Sequence, residues 1–225
     1  MDELARRSYA ALAMLQLALA ALIFLPAWSL TYWQGLLYWV LFGMLCAVMS
    51  EYFLRHDRAL VERRMRGGPA AEKEPRQKLI MWIACAALVA IYLVSAFDYR
   101  FGWSKVPASV VLISDALVVL GFYGIFLTLR ENAYAAATVT VESGQPVVST
   151  GLYAVVRHPM YATALPAFLA TPSALGSWWG LVPAAAFAGA LAWRLLDEEA
   201  YLARNLPGYA DYQRRVRSRL VPGVW

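Results

Sequence analysis

Long apolar blocks separated by short polar connections make up most of this chain. Within each block the apolar residues are nearly continuous and do not form the one-sided stripe of a soluble amphipathic helix. Most blocks approach the about 18 residues that a helix needs to cross a bilayer. The six blocks lie at about residues 9–30, 33–54, 79–97, 108–129, 159–175 and 178–195. The pattern therefore predicts an all-α, polytopic transmembrane bundle of about six helices.

The composition agrees with this pattern. The chain is 61% hydrophobic and only 16% charged, whereas charged residues make up ~25% of a typical soluble domain. The first block is too long for the apolar region of a cleaved signal peptide, so we expect it to stay as the first helix. One structural unit is expected, in which residues 1–130 supply four transmembrane helices and residues 131–225 a cofactor-binding and catalytic region with a helix pair.

The basic residues predict the orientation. If the six blocks alternate across the membrane, only Arg100 and Lys105 of the 20 Lys and Arg residues fall on one face. The positive-inside rule then places both termini and residues 55–78 in the cytoplasm. We expect no nucleic-acid partner, because the basic runs flank membrane segments and no reader motif accompanies them.

Isolated polar residues in or next to the blocks give little indication of function. Cys46 and Cys85 lack any metal-ligand or redox spacing, so neither a disulfide nor a metal site is expected. His56 is interpreted as part of a solvated charged face. An intramembrane carboxylate such as Asp115 is a functional candidate by default, but its position near a helix end favours a structural hydrogen bond or snorkelling.

Two polar clusters come together if the last two blocks form an antiparallel pair. The first is Arg157-His-Pro-Met-Tyr161, which starts one block, and the second is Arg194-Leu-Leu-Asp-Glu-Glu199, which ends the next. His158 precedes a proline, which favours a helix entrance there and explains the cluster without any function. Arg194 and Glu198 share a helix face and are able to pair with one another.

The acidic cluster favours a cationic ligand. Asp197, Glu198 and Glu199 are consecutive, and such crowding of like charge is unfavourable unless a cation offsets it. The sulfonium of S-adenosylmethionine is a cation of this kind, and methyl transfer from it depends mainly on positioning in a dry site. Charge and geometry permit this interpretation and do not single it out.

The linked motifs resemble the isoprenylcysteine carboxyl methyltransferase family, particularly its bacterial members. They are Gly151-x-Tyr153, Arg157-His-Pro-x-Tyr161, Arg194-x-x-x-Glu-Glu199 and Tyr209-x-x-Tyr212, and the likeness covers residues 130–225. The resemblance implies an integral enzyme of the bacterial inner membrane that uses S-adenosylmethionine at its cytoplasmic face. Arg194 and Glu198 would then be catalytic, with Arg194 also facing the acceptor. The cofactor site would contain Gln145, Pro146, Val147, Val148, Tyr153, His158, Pro159, Met160, Tyr161, Glu198 and Glu199.

The acceptor is less well defined by the sequence. A carboxylate is favoured by the resemblance, whereas relatives of this type are similar to enzymes acting on phospholipid amines or thiols. A non-enzymatic membrane binding or transport protein is the alternative from another class, although the chain shows no clear internal repeat. The alternating residues 138–148 predict a short hairpin or extended ribbon over the mouth of the site.

Overall fold

The computed structural model describes residues 2–72, 74–135, 138–141 and 144–225. Within these ranges the chain is helical and contains no β-strand, which confirms the predicted all-α class. Short 3-10 turns occur at Pro69–Ala71 and Gly151–Ala154. The helices are α1 (Glu3–Ala27), α2 (Trp33–His56), α3 (Arg58–Met65), α4 (Pro75–Phe101), α5 (Ala108–Glu131), α6 (Pro159–Ala174), α7 (Leu181–Asn205) and α8 (Tyr209–Arg215).

All six apolar blocks fold as helices, and four of these have the length and composition of membrane spans. These four are α1, α2, α4 and α5. Helix α6 has 16 residues, or about 24 Å of helix, which is shorter than a hydrocarbon core of ~30 Å. Helix α7 is 25 residues long but carries Arg194 and three acidic residues in its second half. The apolar helices make this a membrane protein, and its orientation stays a prediction.

Helix α5 packs closely against α6, and two glycines permit the contact. A Cβ atom at Gly124 would lie 2.3 Å from the Thr163 side chain, and one at Gly121 would lie 2.5 Å from Ala167. Both distances are shorter than carbon atoms tolerate, so a side chain at either glycine forces the helices apart. Small residues at such crossings are typical of membrane helices, which gain stability from close backbone approach.

We expect Gly124→Ala to lower the free energy of unfolding by about 1–3 kcal/mol, because the added methyl group overpacks the α5–α6 contact. The matched control is Gly189→Ala in α7, where an added Cβ meets no atom within 4 Å. Thermal unfolding of both variants in the same detergent measures the difference. Equal unfolding temperatures for the two variants would contradict the packing described for α5 and α6.

The α4–α5 and α6–α7 connections meet at a buried carboxylate. Asp98 is fully buried and accepts hydrogen bonds from the backbone and side chain of Ser104, both at 2.6 Å. The hydroxyl of Ser177 donates to the same carboxylate. This network ties the α6–α7 connection to the end of α4, so it sets how α7 runs back toward the start of α6.

Asp115 does not behave as the sequence indicated. Its side chain is 5% exposed, which excludes snorkelling to solvent within the bundle, and neither carboxylate oxygen has a hydrogen-bond partner among the described residues. The prediction of a structural hydrogen bond was therefore wrong. The residue lies in α5, and the nearby Tyr38 belongs to a small cluster with Tyr92 and Thr171.

The connection between α5 and α6 is a loop. Residues 138–141 and 144–148 pair with no strand, and residues 142 and 143, where the predicted hairpin would turn, lie outside the described residues. The prediction allowed either a ribbon or a loop here, followed by a C-terminal helix. The structure has the loop and the C-terminal helix α8.

Candidate active site

The entrance of α6 is fixed by the C-terminal tail. His158 has a non-helical φ of −123° and precedes Pro159 at the first helical position, as the sequence predicted. The backbone N–H groups of Arg157 and His158 donate to the carbonyls of Ser218 and Arg219, at 2.9 and 3.0 Å. The tail therefore holds the His-Pro step in one position.

A cavity lies between the start of α6, the charged half of α7, the 138–148 loop and α8. Its volume is about 130 Å³, below the ~300–1,000 Å³ of typical small-molecule sites, so a nucleoside-sized ligand requires the surrounding groups to shift outward. The lining residues are Asn132, Tyr134, Ala135, Thr138, Val139, Thr140, Gln145, Pro146, Val147, Val148, Tyr153, Arg157, His158, Pro159, Met160, Tyr161, Arg194, Glu198, Leu202, Leu206, Tyr209 and Tyr212.

A chain of hydrogen bonds positions Glu198 in this cavity. The Tyr161 hydroxyl donates to Glu198 Oε2 at 2.8 Å and accepts from Arg194 Nε at 3.1 Å. Glu198 Oε1 has no hydrogen-bond partner in the described part of the chain. One carboxylate oxygen thus stays available to a ligand while the other fixes the side-chain direction.

The guanidinium of Arg194 is held by residues that precede α4 or begin it. Arg194 Nη2 lies 2.7 Å from Glu72 Oε1, and Nη1 donates to Gln77 Oε1 at 3.0 Å. Both partners are buried, and Glu72 also accepts from the backbone N–H of Val139 at 3.2 Å. These contacts give Arg194 a positioning role toward Tyr161, and its predicted contact with the acceptor stays a prediction.

We expect Arg194→Lys to lower the unfolding temperature and weaken cofactor binding together. A lysine offers one point charge and cannot reproduce the fork to Glu72 and Gln77 while also reaching Tyr161. Unfolding in detergent and calorimetric binding of S-adenosylhomocysteine measure the two effects on one preparation. A fall in kcat/KM for the acceptor with unchanged cofactor affinity would assign Arg194 to acceptor binding instead.

Glu199 lies behind the cavity and not in its lining. Its Oε1 accepts from Arg157 Nε at 2.6 Å and His158 Nε2 at 3.2 Å, and its Oε2 accepts from Arg219 Nε at 2.8 Å. Burial raises the pKa of this carboxyl, but the hydrogen bonds from His158, Arg157 and Arg219 outweigh it and lower the pKa to about 2. The cluster joins α7, the α6 entrance and the tail.

The structure brings the remaining predicted site residues together. All the residues predicted to bind cofactor, apart from Glu199, line the cavity, and Arg194 lines it too. Their predicted roles stay predictions. Across the described residues, no group of three or more His, Cys, Asp or Glu side chains is placed to hold a metal ion.

Two further cavity residues, Asn132 and Tyr209, were not among the predicted site residues. Asn132 donates to the Tyr153 hydroxyl at 3.1 Å and so fixes that ring. The Tyr209 hydroxyl is buried without a hydrogen-bond partner among the described residues. Burial raises the pKa of Tyr209 and also that of Tyr153, to about 12 for the latter, so both phenols are neutral hydrogen-bond donors at neutral pH. The Tyr209-x-x-Tyr212 spacing was visible in the sequence, but only as part of a family resemblance.

Fold and site define a helical membrane protein with a polar cavity where its last two long helices meet. Residues 109–207 match the model of the phospholipid methyltransferase family. The match agrees with the predicted resemblance, because the matching family is of the isoprenylcysteine carboxyl methyltransferase type. The match supports a membrane methyltransferase. Most of the residues that line the cavity lie within the matched segment.

A curated relative is similar over much of the chain. It is the nickel-cobalt-cadmium resistance protein NccN of Alcaligenes xylosoxydans xylosoxydans, which is 26% identical over 146 residues. The alignment covers 62% of this chain, and the chain spans 62% of that protein's length.

Proposed function

We propose that this protein is an S-adenosylmethionine-dependent methyltransferase that acts on a lipophilic or small acceptor at the membrane surface. The observation that carries the proposal is the carboxylate of Glu198, which lies in the segment that matches the methyltransferase family. The Tyr161 hydroxyl orients this carboxylate, and its second oxygen has no hydrogen-bond partner among the described residues. A partly buried carboxylate that lines a cavity suits a ligand that carries positive charge.

The cavity offers the groups that this cofactor needs. S-adenosylmethionine, when bound, supplies a methyl group on a positively charged sulfur together with an amino acid end and a nucleoside end. Glu198 offers an acceptor oxygen to the cationic end, and Tyr209 offers a hydroxyl that has no other partner in the described part of the chain. The main-chain N–H and C=O groups of Val147 and Val148 make no hydrogen bond within the described residues, so they are available to a ligand.

The chain's own residues would bind, orient and dehydrate the reactants. His158 is oriented by Glu199 and stands beside Tyr161, with ring centroids 5.7 Å apart. Leu202 and Leu206 add apolar lining, which limits the water around the charged groups. Methyl transfer consumes the sulfonium charge, so a site with little water favours it.

A carboxylate acceptor, as in isoprenylcysteine O-methylation, is the favoured substrate class. The second candidate is a phospholipid amine, because the matching family model is that of phospholipid methyltransferases. The proposed location is the bacterial inner membrane with both termini and the site in the cytoplasm, as the basic residues indicate.

An acceptor screen with methyl-labelled S-adenosylmethionine tests the proposal. Purified protein in nonionic detergent is incubated with prenylated cysteine derivatives, lipid amines and small thiols, and label transfer is measured after extraction. Label transfer by the wild-type protein that is lost in Glu198→Gln supports the proposed enzyme activity. Saturable cofactor binding without transfer to any class would favour a binding protein, and absence of both would contradict the proposal.

A further inference from the structure

The acidic residues on either side of Glu198 are already paired with basic side chains. Asp197 Oδ1 lies 3.4 Å from Arg76 Nε. Glu199 Oε1 lies 2.6 Å from Arg157 Nε. Glu198 differs, because no Lys or Arg side chain in the described part of the chain lies within ion-pair distance of it. Of these three acids, Glu198 is therefore the one whose charge is available to a cationic ligand.

Arg194 is the basic residue placed to cancel this charge. It lies one helical turn before Glu198 on the same face of α7, a spacing at which a basic and an acidic side chain are able to pair. In the structure the Tyr161 hydroxyl lies between the two, since it accepts from Arg194 Nε and donates to Glu198 Oε2. The far end of the guanidinium contacts Glu72, with Arg194 Nη2 2.7 Å from Glu72 Oε1. Glu72 therefore supplies a counter-charge to Arg194.

Glu72 is fixed in this position by burial and by a second contact. Its side chain is 1% exposed, and its Oε2 accepts from the backbone N–H of Val139 at 3.2 Å. A buried carboxylate is unfavourable unless an opposite charge and hydrogen bonds compensate it, and Glu72 has both. Val139 lines the cavity and Glu72 does not. Any effect of Glu72 on a bound ligand must therefore act through Arg194 or Val139.

We propose that Glu72 is a positioning residue of the cofactor site, which pairs with Arg194 and so keeps the charge of Glu198 available to a sulfonium ligand. The inference rests on the proposed function, and it concerns a residue outside the segment that matches the methyltransferase family. Without this carboxylate the site would hold one more positive charge, and Arg194 would pair with Glu198 across the helix turn. Both changes disfavour a bound cation. Because S-adenosylmethionine carries one more positive charge than S-adenosylhomocysteine, Glu72 should matter more for the former.

Calorimetric titration of both ligands into purified protein in nonionic detergent tests the proposal. We expect Glu72→Gln to weaken S-adenosylmethionine binding about tenfold more than S-adenosylhomocysteine binding, the effect of one charge-assisted contact. Glu72→Asp keeps the charge on a side chain that is one methylene shorter, so it should show the same difference between the ligands to a smaller degree. This second variant keeps the test decisive if Glu72→Gln fails to fold.

Gln77→Met is the matched control. Gln77 is also buried and accepts from Arg194 Nη1 at 3.0 Å, but it carries no charge. Its replacement should lower the unfolding temperature and affect the two ligands equally. Glu74→Gln is the second control, because Glu74 is an exposed acid two residues from Glu72. This variant should leave both affinities unchanged.

Equal losses for the two ligands in Glu72→Gln, or unchanged affinities, would overturn the proposal and leave Glu72 with a structural role only. A difference between the ligands as large in Gln77→Met as in Glu72→Gln would overturn it too, because the effect would not depend on charge. Both results leave the proposed function intact, provided that wild-type protein binds the ligands. Folded wild-type protein that binds neither ligand would contradict the proposed function and this inference with it.

Discussion

Glu198→Gln is expected to weaken binding of S-adenosylhomocysteine and S-adenosylmethionine by one to two orders of magnitude. The substitution keeps the shape of the side chain and its contact with Tyr161 but removes the negative charge. Loss of a hydrogen bond to a charged group costs about 1.5–3 kcal/mol, which corresponds to this range of affinity. Isothermal calorimetry on purified protein in nonionic detergent measures both ligands.

A comparison of the two ligands shows which part of the cofactor Glu198 contacts. Because S-adenosylmethionine carries one more positive charge than S-adenosylhomocysteine, the variant should lose more affinity for the former if Glu198 faces sulfur. Equal losses would place the carboxylate at the amino group, which both ligands share. Asp211→Asn is the control, since Asp211 is an exposed acid paired with Arg214 on α8 and does not line the cavity. Unchanged affinity in a folded Glu198→Gln protein would reject the cofactor assignment.

Glu199→Gln is expected to destabilise the protein by about 3–5 kcal/mol, because it leaves buried positive groups without their partner. Arg157 and Arg219 both contact this carboxylate, and the side chains of Arg157 and Glu199 are each 6% exposed. Unfolding followed by intrinsic fluorescence measures the effect. Glu62→Gln on α3 is the control, since its ion pair with Arg66 is exposed and should contribute less than about 1 kcal/mol.

The same variant tests the predicted cofactor role of Glu199. Full stability with lost S-adenosylhomocysteine binding would make Glu199 a ligand contact and contradict the structural role described for it.

Acid should remove the stabilisation that Glu199 provides. The pKa of this carboxyl is about 2 in the folded protein, below the ~4.3 of a free glutamate. A group whose pKa is depressed on folding contributes stability above its unfolded pKa and loses it as pH falls toward the folded value. Wild-type stability should therefore decline between about pH 4.3 and 2 more steeply than that of Glu199→Gln. Parallel declines in the two proteins would contradict this assignment.

The sequence predicted the helices and the meeting of the two motif clusters well, for a physical reason. Continuous apolar blocks leave few alternatives to helix in a membrane, because every backbone group must be hydrogen-bonded internally. The antiparallel pair then brings the start of one block to the end of the next. His158 and Glu198 consequently line one cavity although they are distant in sequence.

Partners supplied by remote connections were not predictable. Glu72 lies in a polar segment that reads as an ordinary loop, yet it is buried and pairs with Arg194. Nothing in the local pattern distinguishes Glu198, which faces the cavity, from Glu199, which faces the tail. That distinction depends on the helix rotation and on Arg219, which follows α8. Asp115 shows the same limit, because its burial follows from packing that sequence alone does not define.

The central claim is that the cavity between α6 and α7 binds the methyl donor. Its most direct test is calorimetric titration of folded wild-type protein with S-adenosylhomocysteine, followed by competition with S-adenosylmethionine. We predict saturable binding at one site per chain, displaced by S-adenosylmethionine and strongly reduced in Glu198→Gln. A folded wild-type protein that shows no saturable binding, or binding that Glu198→Gln leaves intact, would contradict the account.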